Sequence, residues 1–283
     1  MTRVLVTGGS GQLGRCIADL VGTLPFAHLE VVVLDRAGID ITDDESVATA
    51  LRAHDPDVIV NAAAYTAVDA AETDVEAAMA ANALGVERLA RAGRRLIHVS
   101  TDYVFDGSKA GWYVESDPVA PVGVYGTTKR AGELAAEECR DHLVLRTAWV
   151  YSAYGHNFVK TMLRVGADRD HIRVVADQIG CPTSAHDLAE AILQLVDHEV
   201  TGTHHLTGTD EASWHEFAVA IFDHAGLEVE VEAIPTSAYP TPAPRPANSR
   251  LDSSAIAHTT GIRLPGWRTS LPAVIEQIRA TSD

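Results

Sequence analysis

The stretch RVLVTGGSGQLG, residues 3–14, decides how the whole chain is read. An apolar, β-branched run, RVLVT, passes without a break into GGSGQLG, and from about Gln12 the pattern turns helical. Gly9, Gly11 and Gly14 fit the spacing GxGxxG, while Gly8, Gly11 and Gly14 fit GxxGxxG. Between a first strand and a first helix, either spacing gives a tight turn, lets backbone N–H groups approach a pyrophosphate and packs the helix on the sheet. The helix N-terminus adds a dipole that favours the anion. Asp35, about 20 positions after Gly14, suits the hydroxyls of an adenosine ribose, whereas its neighbour Arg36 suits a 2'-phosphate. The two point to different cofactors, so the loop implies a nicotinamide dinucleotide, NADPH or NADH.

Outward from the loop, EVVVL, DVIVN and RLIHVS alternate with helical patterns, one after DITDDES and a long alanine-rich one over residues 75–92. This alternation predicts an α/β, Rossmann-type doubly wound fold, a parallel sheet with helices on both faces. Strands as uniformly apolar as VVVL fit a sheet covered on both sides. In ITDDESVATAL, Thr42 with Glu45 three residues on reads as a capping box. After LVLRTAWVY, residues 143–151, the pattern loosens, with strands near 172–175 and 203–206 and helices near 157–166, 185–197 and 213–225. The organisation expected is a dinucleotide-binding domain over 1–150, to which about 185–210 returns, and a smaller C-terminal substrate-binding region over 151–283. PTSAYPTPAPRPANS, residues 235–249, holds too much proline for a helix interior or central strand, and by composition alone it reads as a linker.

At 283 residues, 46% hydrophobic and 22% charged, the chain suits a soluble globular protein with a sizeable core. Its net charge of −17 repels nucleic acid and anionic membrane, so neither is an expected partner. Cys16, Cys139 and Cys181 lie far apart with no metal-ligand spacing and read as buried thiols in a reducing cytosol. Met1 leads straight into VLV with no leader pattern, and no apolar window is long enough to span a bilayer, so a cytoplasmic location is expected. His98, His156 and the adjacent pair His204 and His205 read as structural, because neighbours on a strand point to opposite sides.

VYGTTKRAGE, residues 124–133, places Tyr125 and Lys129 four apart, on one helix face whatever their purpose. They are either a proton donor with its cation or two surface neighbours. STDYVFDG (100–107) adds Thr101 at the carboxyl end of a strand, where open α/β sheets bind ligands. With NAAAYTAVDAAE (61–72), RTAWVY (146–151), VVADQIGCPT (174–183) and the proline-rich stretch, the chain resembles the extended short-chain dehydrogenase/reductase family and, within it, the dTDP-4-dehydrorhamnose reductase group. The resemblance runs along nearly the whole chain.

The resemblance implies an enzyme that uses NADPH or NADH to reduce the 4-keto group of a dTDP-linked 4-keto-6-deoxysugar, dTDP-4-dehydro-L-rhamnose before others. Tyr125 is then the proton donor, Lys129 lowers its pKa and holds the nicotinamide ribose, and Thr101 donates to the carbonyl oxygen. Gly8, Gly11, Gln12, Leu13, Gly14, Asp35, Arg36, Asp40, Ile41, Ala62, Ala63, Ala64 and Tyr65 match cofactor positions. Thr101, Asp102 and Trp149 match the sugar end, with Asn157, Gln178, Pro182 and Arg245 toward the nucleotide diphosphate, which makes the proline-rich stretch a substrate clamp. Tyr103 stands where sugar-nucleotide dehydratases of the family carry the glutamate used for elimination, which favours reduction. Cys16 replaces a glutamate that serves a magnesium site in some relatives, which argues against magnesium and a metal-linked dimer. A monomer or weak homodimer is expected. Gly123 sits where a side chain is common, implying a looser loop. Two other readings stay open: a sibling reductase making another deoxysugar, and a silent nucleotide-binding subunit.

Overall fold

A computed structural model describes residues 1–281. Strands β1 (Thr2–Thr7), β2 (Leu29–Val33), β3 (Val58–Asn61), β4 (Arg95–Thr101) and β5 (His142–Thr147) join the strand Gly202–His205 in one six-stranded sheet. Every neighbouring pair in it is parallel. From edge to edge the order is Gly202–His205, β5, β4, β3, β1, β2. The chain therefore winds one way from β1 and then the other, and the crevice at the carboxyl ends of β1 and β3 is where such a sheet takes its ligand.

Alternation along β1 explains its unbroken hydrophobicity. Val4 and Val6 pack into one core with Leu13, Ile17, Leu188 and Ile192, while Leu5 packs into another with Ile39, Val47, Val86 and Leu89. The first core is roofed by helices Gln12–Leu20 and Ala185–Leu195, which pack against each other. A further core gathers Tyr151, Val159, Phe217, Phe222, Trp267 and Leu271 from helices Phe158–Asp168, Trp214–Ala225 and Trp267–Ala280 and the segment before them. It backs a two-stranded parallel sheet, His171–Val175 with Glu230–Ile234.

Two local expectations are corrected. Helix Asp44–His54 is capped by Asp43, whose Oδ1 accepts from the Glu45 amide at 2.9 Å. Thr42 is unavailable because its amide and hydroxyl both donate to Asp40 Oδ1, at 2.9 and 2.7 Å. The alanine-rich helix is not continuous α-helix: Val75–Met79 widens into a π turn, Ala80–Leu84, before Gly85–Ala90 resumes. A π turn inserts a residue and re-aims side chains, often at functional sites.

Helix Val124–Glu137 is fixed to the sheet by a fully buried carboxylate, that of Glu133. It accepts from Ser100 Oγ of β4 at 2.6 Å and from Arg146 Nε and Nη2 of β5, both at 2.8 Å. Arg130 Nη1 adds a fourth bond at 2.9 Å. Burial pushes the Glu133 pKa up, but the Arg146 pair, Ser100 and Arg130 outweigh it and hold the carboxyl below its usual range. Removing one partner of a buried ion pair strands the other. Glu133→Ala is expected to destabilise the protein by about 3–5 kcal/mol, read as a fall in the urea midpoint.

Candidate active site

The crevice is a cleft of about 700 Å³ that runs from the glycine loop to the end of β5. Gly8 adopts φ +75°, and a Cβ there would stand 2.7 Å from the backbone of Ala62 and Ala63. A side chain at Gly14 would collide with the Gly8 carbonyl, so this glycine closes the loop onto its helix. The floor opposite is fixed by a buried polar row. Thr7 Oγ1 donates to Asn61 Oδ1 at 2.6 Å, Asn61 Nδ2 pairs with His98 Nδ1 at 3.0 Å, and the Ala63 amide donates to both Thr7 Oγ1 and Asn61 Oδ1 at 3.2 Å. Gly8, Gly11, Gln12, Leu13, Arg36, Asp40, Ile41, Ala62, Ala63 and Ala64 line the cleft, as the sequence-based set has them.

Asp35, Gly14 and Tyr65 do not line it. Asp35 is exposed and its Oδ1 caps its own turn, accepting from the Ala37 and Gly38 amides at 3.0 and 3.1 Å. Tyr65 turns outward, donating to Asp74 Oδ2 at 3.3 Å. Its backbone is clamped by Asn82 of the π turn, whose Oδ1 accepts from the Tyr65 amide at 2.8 Å and whose Nδ2 donates to the Tyr65 carbonyl and to Thr128 Oγ1. Asn82 was not in the sequence-based set. Its signal was a lone amide inside an alanine-rich helix.

At the far end Thr101, Asp102, Tyr125, Lys129, Thr147 and Trp149 converge on the cleft. Helix Val124–Glu137 comes close enough because it carries glycine where it touches: side chains at Gly126 and Gly132 would collide with the carbonyls of Tyr103 and Asn82. Tyr125 meets Tyr103 edge-on, ring centroids 5.5 Å apart. Burial raises the Tyr125 pKa to about 12, the Thr101 hydroxyl opposing and Asp102 reinforcing the shift. The expected depression by Lys129 is thus corrected: its ammonium is turned to the Val99 carbonyl at 2.6 Å and does not offset the desolvation of the phenol. Burial lowers the pKa of Lys129 itself to about 8, against the raising effect of Glu133. Burial also holds His98 well below its ordinary pKa, with Lys129 adding to the effect, so this histidine is neutral.

Trp149 has φ +48°, a left-handed conformation rare for a bulky residue. Its indole lies parallel to that of Trp214, centroids 3.4 Å apart, in room left by Gly180. Trp214 and Thr147 also line the cleft and were not foreseen; RTAWVY contains Thr147, but nothing near Trp149 in sequence indicates Trp214. His156, read as structural, is exposed on the cleft wall. His204 and His205 do point apart, one to the Thr201 carbonyl and the other, buried, to the Tyr113 carbonyl.

Four residues expected toward the diphosphate, Asn157, Gln178, Pro182 and Arg245, lie outside the lining. The Asn157 amide is engaged: it caps helix Phe158–Asp168 and donates to Gln12 Oε1 and to the Ser152 and Tyr154 carbonyls. Gln178 accepts from Trp214 Nε1 at 3.2 Å and donates to Thr236 Oγ1 at 3.1 Å. Arg245 pairs with Asp69. Gly123 has an extended backbone, and a Cβ there would stand 2.8 Å from Glu72 Oε1. Among the described residues no cluster of three or more His, Cys, Asp or Glu is placed to hold a metal ion, and no helix is long and apolar enough to cross a membrane.

With that geometry in view, residues 1–280 match the family model for the RmlD substrate binding domain. The chain belongs to this family. A dTDP-4-dehydrorhamnose reductase of Aggregatibacter actinomycetemcomitans is 43% identical, covering 96% of this chain and 97% of the relative. Among solved structures, a dTDP-4-dehydrorhamnose reductase from Clostridium acetobutylicum superposes with TM-score 0.93 at 38% identity, covering 98% of this chain and 100% of its own. That of Bacillus anthracis in complex with NADP gives 0.92 at 36%, with the same coverage.

The residues at this family site fit a cofactor and substrate in one respect that needs no relative. Asp102 Oδ2 and Thr147 Oγ1 are buried and make no well-formed hydrogen bond among the described residues, although the Ser249 hydroxyl is near the carboxylate. Thr101 Oγ1 donates to the other oxygen, Oδ1, at 2.9 Å. Burial raises the Asp102 pKa to about 6, against the Ser249 and Thr101 hydroxyls. A carboxyl whose folded pKa is raised makes the native state less stable as pH climbs from its ordinary value of 3.8 to about 6. Asp102→Asn is therefore expected to raise Tm at pH 7.5, by the equivalent of about 1–3 kcal/mol, with the gain fading below pH 5. Thermal melts across that range check it.

Proposed function

We propose that the chain reduces the 4-keto group of a dTDP-linked 4-keto-6-deoxysugar, dTDP-4-dehydro-L-rhamnose first among them, to the 4-hydroxy sugar. The observation that carries this reading is the convergence of Thr101, Tyr125 and Lys129 at one end of a cleft whose other end is a glycine loop. A reduced nicotinamide supplies the hydride when bound. Gly8, Gly11, Gln12 and Leu13 would take its pyrophosphate, and Ala62 to Ala64 the space beside it. Lys129 gives one of its three protons to Val99; the other two have no protein acceptor among the described residues and suit ribose hydroxyls. Arg36 lines the cleft whereas Asp35 does not, which favours NADPH over NADH.

The raised pKa of Tyr125 fits the direction of the reaction. A phenol near 12 keeps its proton at neutral pH, and the alkoxide formed on reduction is basic enough to take it. Thr101 beside it has one O–H, given to Asp102 Oδ1 at 2.9 Å; turned from that carboxylate, it would steady the carbonyl oxygen by a hydrogen bond. Asp102 Oδ2 and Thr147 Oγ1 are then partners for a neighbouring sugar hydroxyl. We extend the reading to residues 1–150 with about 185–210 holding the cofactor and the remainder holding the sugar nucleotide. The same reading makes the chain a cytoplasmic monomer or weak homodimer, in keeping with its buried thiols and Cys16.

Following NADPH oxidation with dTDP-4-keto-6-deoxysugars, and the product by NMR, tests the assignment and separates sugar epimers. Tyr125→Phe is expected to lower kcat by about 10²–10⁴-fold. Cofactor binding without turnover of any such sugar by the wild type would sink the reading in favour of a silent subunit. Arg36→Ala should raise KM for NADPH about tenfold and leave KM for NADH within about twofold, since only the former offers a phosphate to the guanidinium.

A further inference from the structure

The segment AVDAAE, residues 67–72, enters none of the roles above. It forms the short helix Val68–Ala71, which Glu72 continues, so Asp69 and Glu72 lie three apart on one face. Each holds a different part of the molecule.

Glu72 supplies the cap that helix Val124–Glu137 lacks. Gly123, at its N-cap, has no side chain to offer, and Glu72 Oε1 instead accepts from the Val124 amide at 2.8 Å. Any side chain at position 123 would crowd that oxygen. The amide so held is the first of the helix, and the next residue is Tyr125. A carboxylate at a helix N-terminus also meets the positive end of the helix dipole.

Asp69 holds the proline-rich arm. Arg245 Nη1 and Nη2 donate to its two oxygens at 2.9 and 2.8 Å, and the Ala243 amide donates to Oδ1 at 3.1 Å. A second proton of Nη1 goes to the Ala243 carbonyl at 2.8 Å. A guanidinium has five N–H donors in a rigid fork. Three are engaged here, and the edge formed by Nε and the outer Nη2 proton has no protein acceptor among the described residues. Arg245 also acts electrostatically on Tyr103, which lines the cleft, and Pro244 lies against Gly123. Arg245 stands beside the cleft rather than in its lining, and its free bidentate edge leaves two donors for an oxyanion without displacing Asp69.

We propose that Asp69 and Glu72 are positioning residues for the reaction, Glu72 setting the first turn that carries Tyr125 and Asp69 presenting the free edge of Arg245 to the diphosphate of the nucleotide sugar. This rests on the functional reading above. One short helix thereby sets the distance between the proton donor and the cation that anchors the far end of the substrate. The two halves separate kinetically. Misplacing the donor slows the chemical step, whereas disordering the cation weakens binding.

The full-length chain with Glu72→Ala, Glu72→Gln and Asp69→Ala is measured by initial rates with NADPH and the nucleotide sugar, by calorimetric titration with dTDP, and by hydrogen exchange of the residue 124–128 amides. Glu72→Ala is expected to lower kcat about tenfold or more with KM for the nucleotide sugar within about twofold. Glu72→Gln keeps an acceptor oxygen and should restore kcat to within about threefold and the slow exchange of the Val124 amide. Asp69→Ala should raise that KM, and Kd for dTDP, about tenfold with kcat little changed. If kcat and KM move together by one factor in both alanine variants, or if Glu72→Gln falls as far as Glu72→Ala, the proposal is overturned. Absence of turnover in the wild type counts against the functional reading alone. The exchange and titration arms then decide: unchanged Val124 exchange in Glu72→Ala or unchanged dTDP affinity in Asp69→Ala overturns the proposal by itself.

Discussion

The buried carboxylate of Glu133 is the contact on which the geometry of the cleft depends. It joins β4 through Ser100, β5 through Arg146 and its own helix through Arg130. Lys129 and Tyr125 follow at one and two helical turns toward the N-terminus, so fixing the rotation of that helix aims both. An apolar contact would also bury surface, but it would set the rotation less sharply than bonds with defined directions. The glycines at 126 and 132 let the helix sit close, and the buried ion pair keeps it from turning.

Electrostatics in the cleft are local rather than global. The chain carries a net charge of −17, yet its prospective ligands are anions. Arg36 and Arg245 each stand beside a single carboxylate, Asp40 and Asp69, in partly exposed pairs. Such pairs add little stability, but they orient the cation while leaving some of its donors available. On the proposed reading, attraction for phosphate comes from aimed N–H groups within a few ångströms, and the long-range field is screened beyond about 8 Å at physiological salt.

What the sequence made legible is what short-range pattern determines. The run RVLVT, the glycine spacing and the apolar strands follow from periodicity and backbone sterics, and the sheet has the expected parallel, doubly wound form. Spacing also placed Tyr125 and Lys129 on one helix with Thr101 at a strand end. Features that depend on which distant segment arrives first were hidden. Asn157 is engaged by Gln12 across 145 positions, and Asp69 reaches Arg245 across 176. The acidity of Tyr125 belongs to the same class: four-residue spacing puts an ammonium near the phenol, but desolvation by the surrounding fold decides the sign.

The parallel indoles of Trp149 and Trp214 have an optical consequence. Two identical chromophores stacked 3.4 Å apart share their excited states, which alters emission and near-ultraviolet dichroism relative to isolated tryptophan. Both rings border the cleft, so an occupant that wedges against or reorients either one changes the coupling. The molecule carries an intrinsic reporter of occupancy that needs no label.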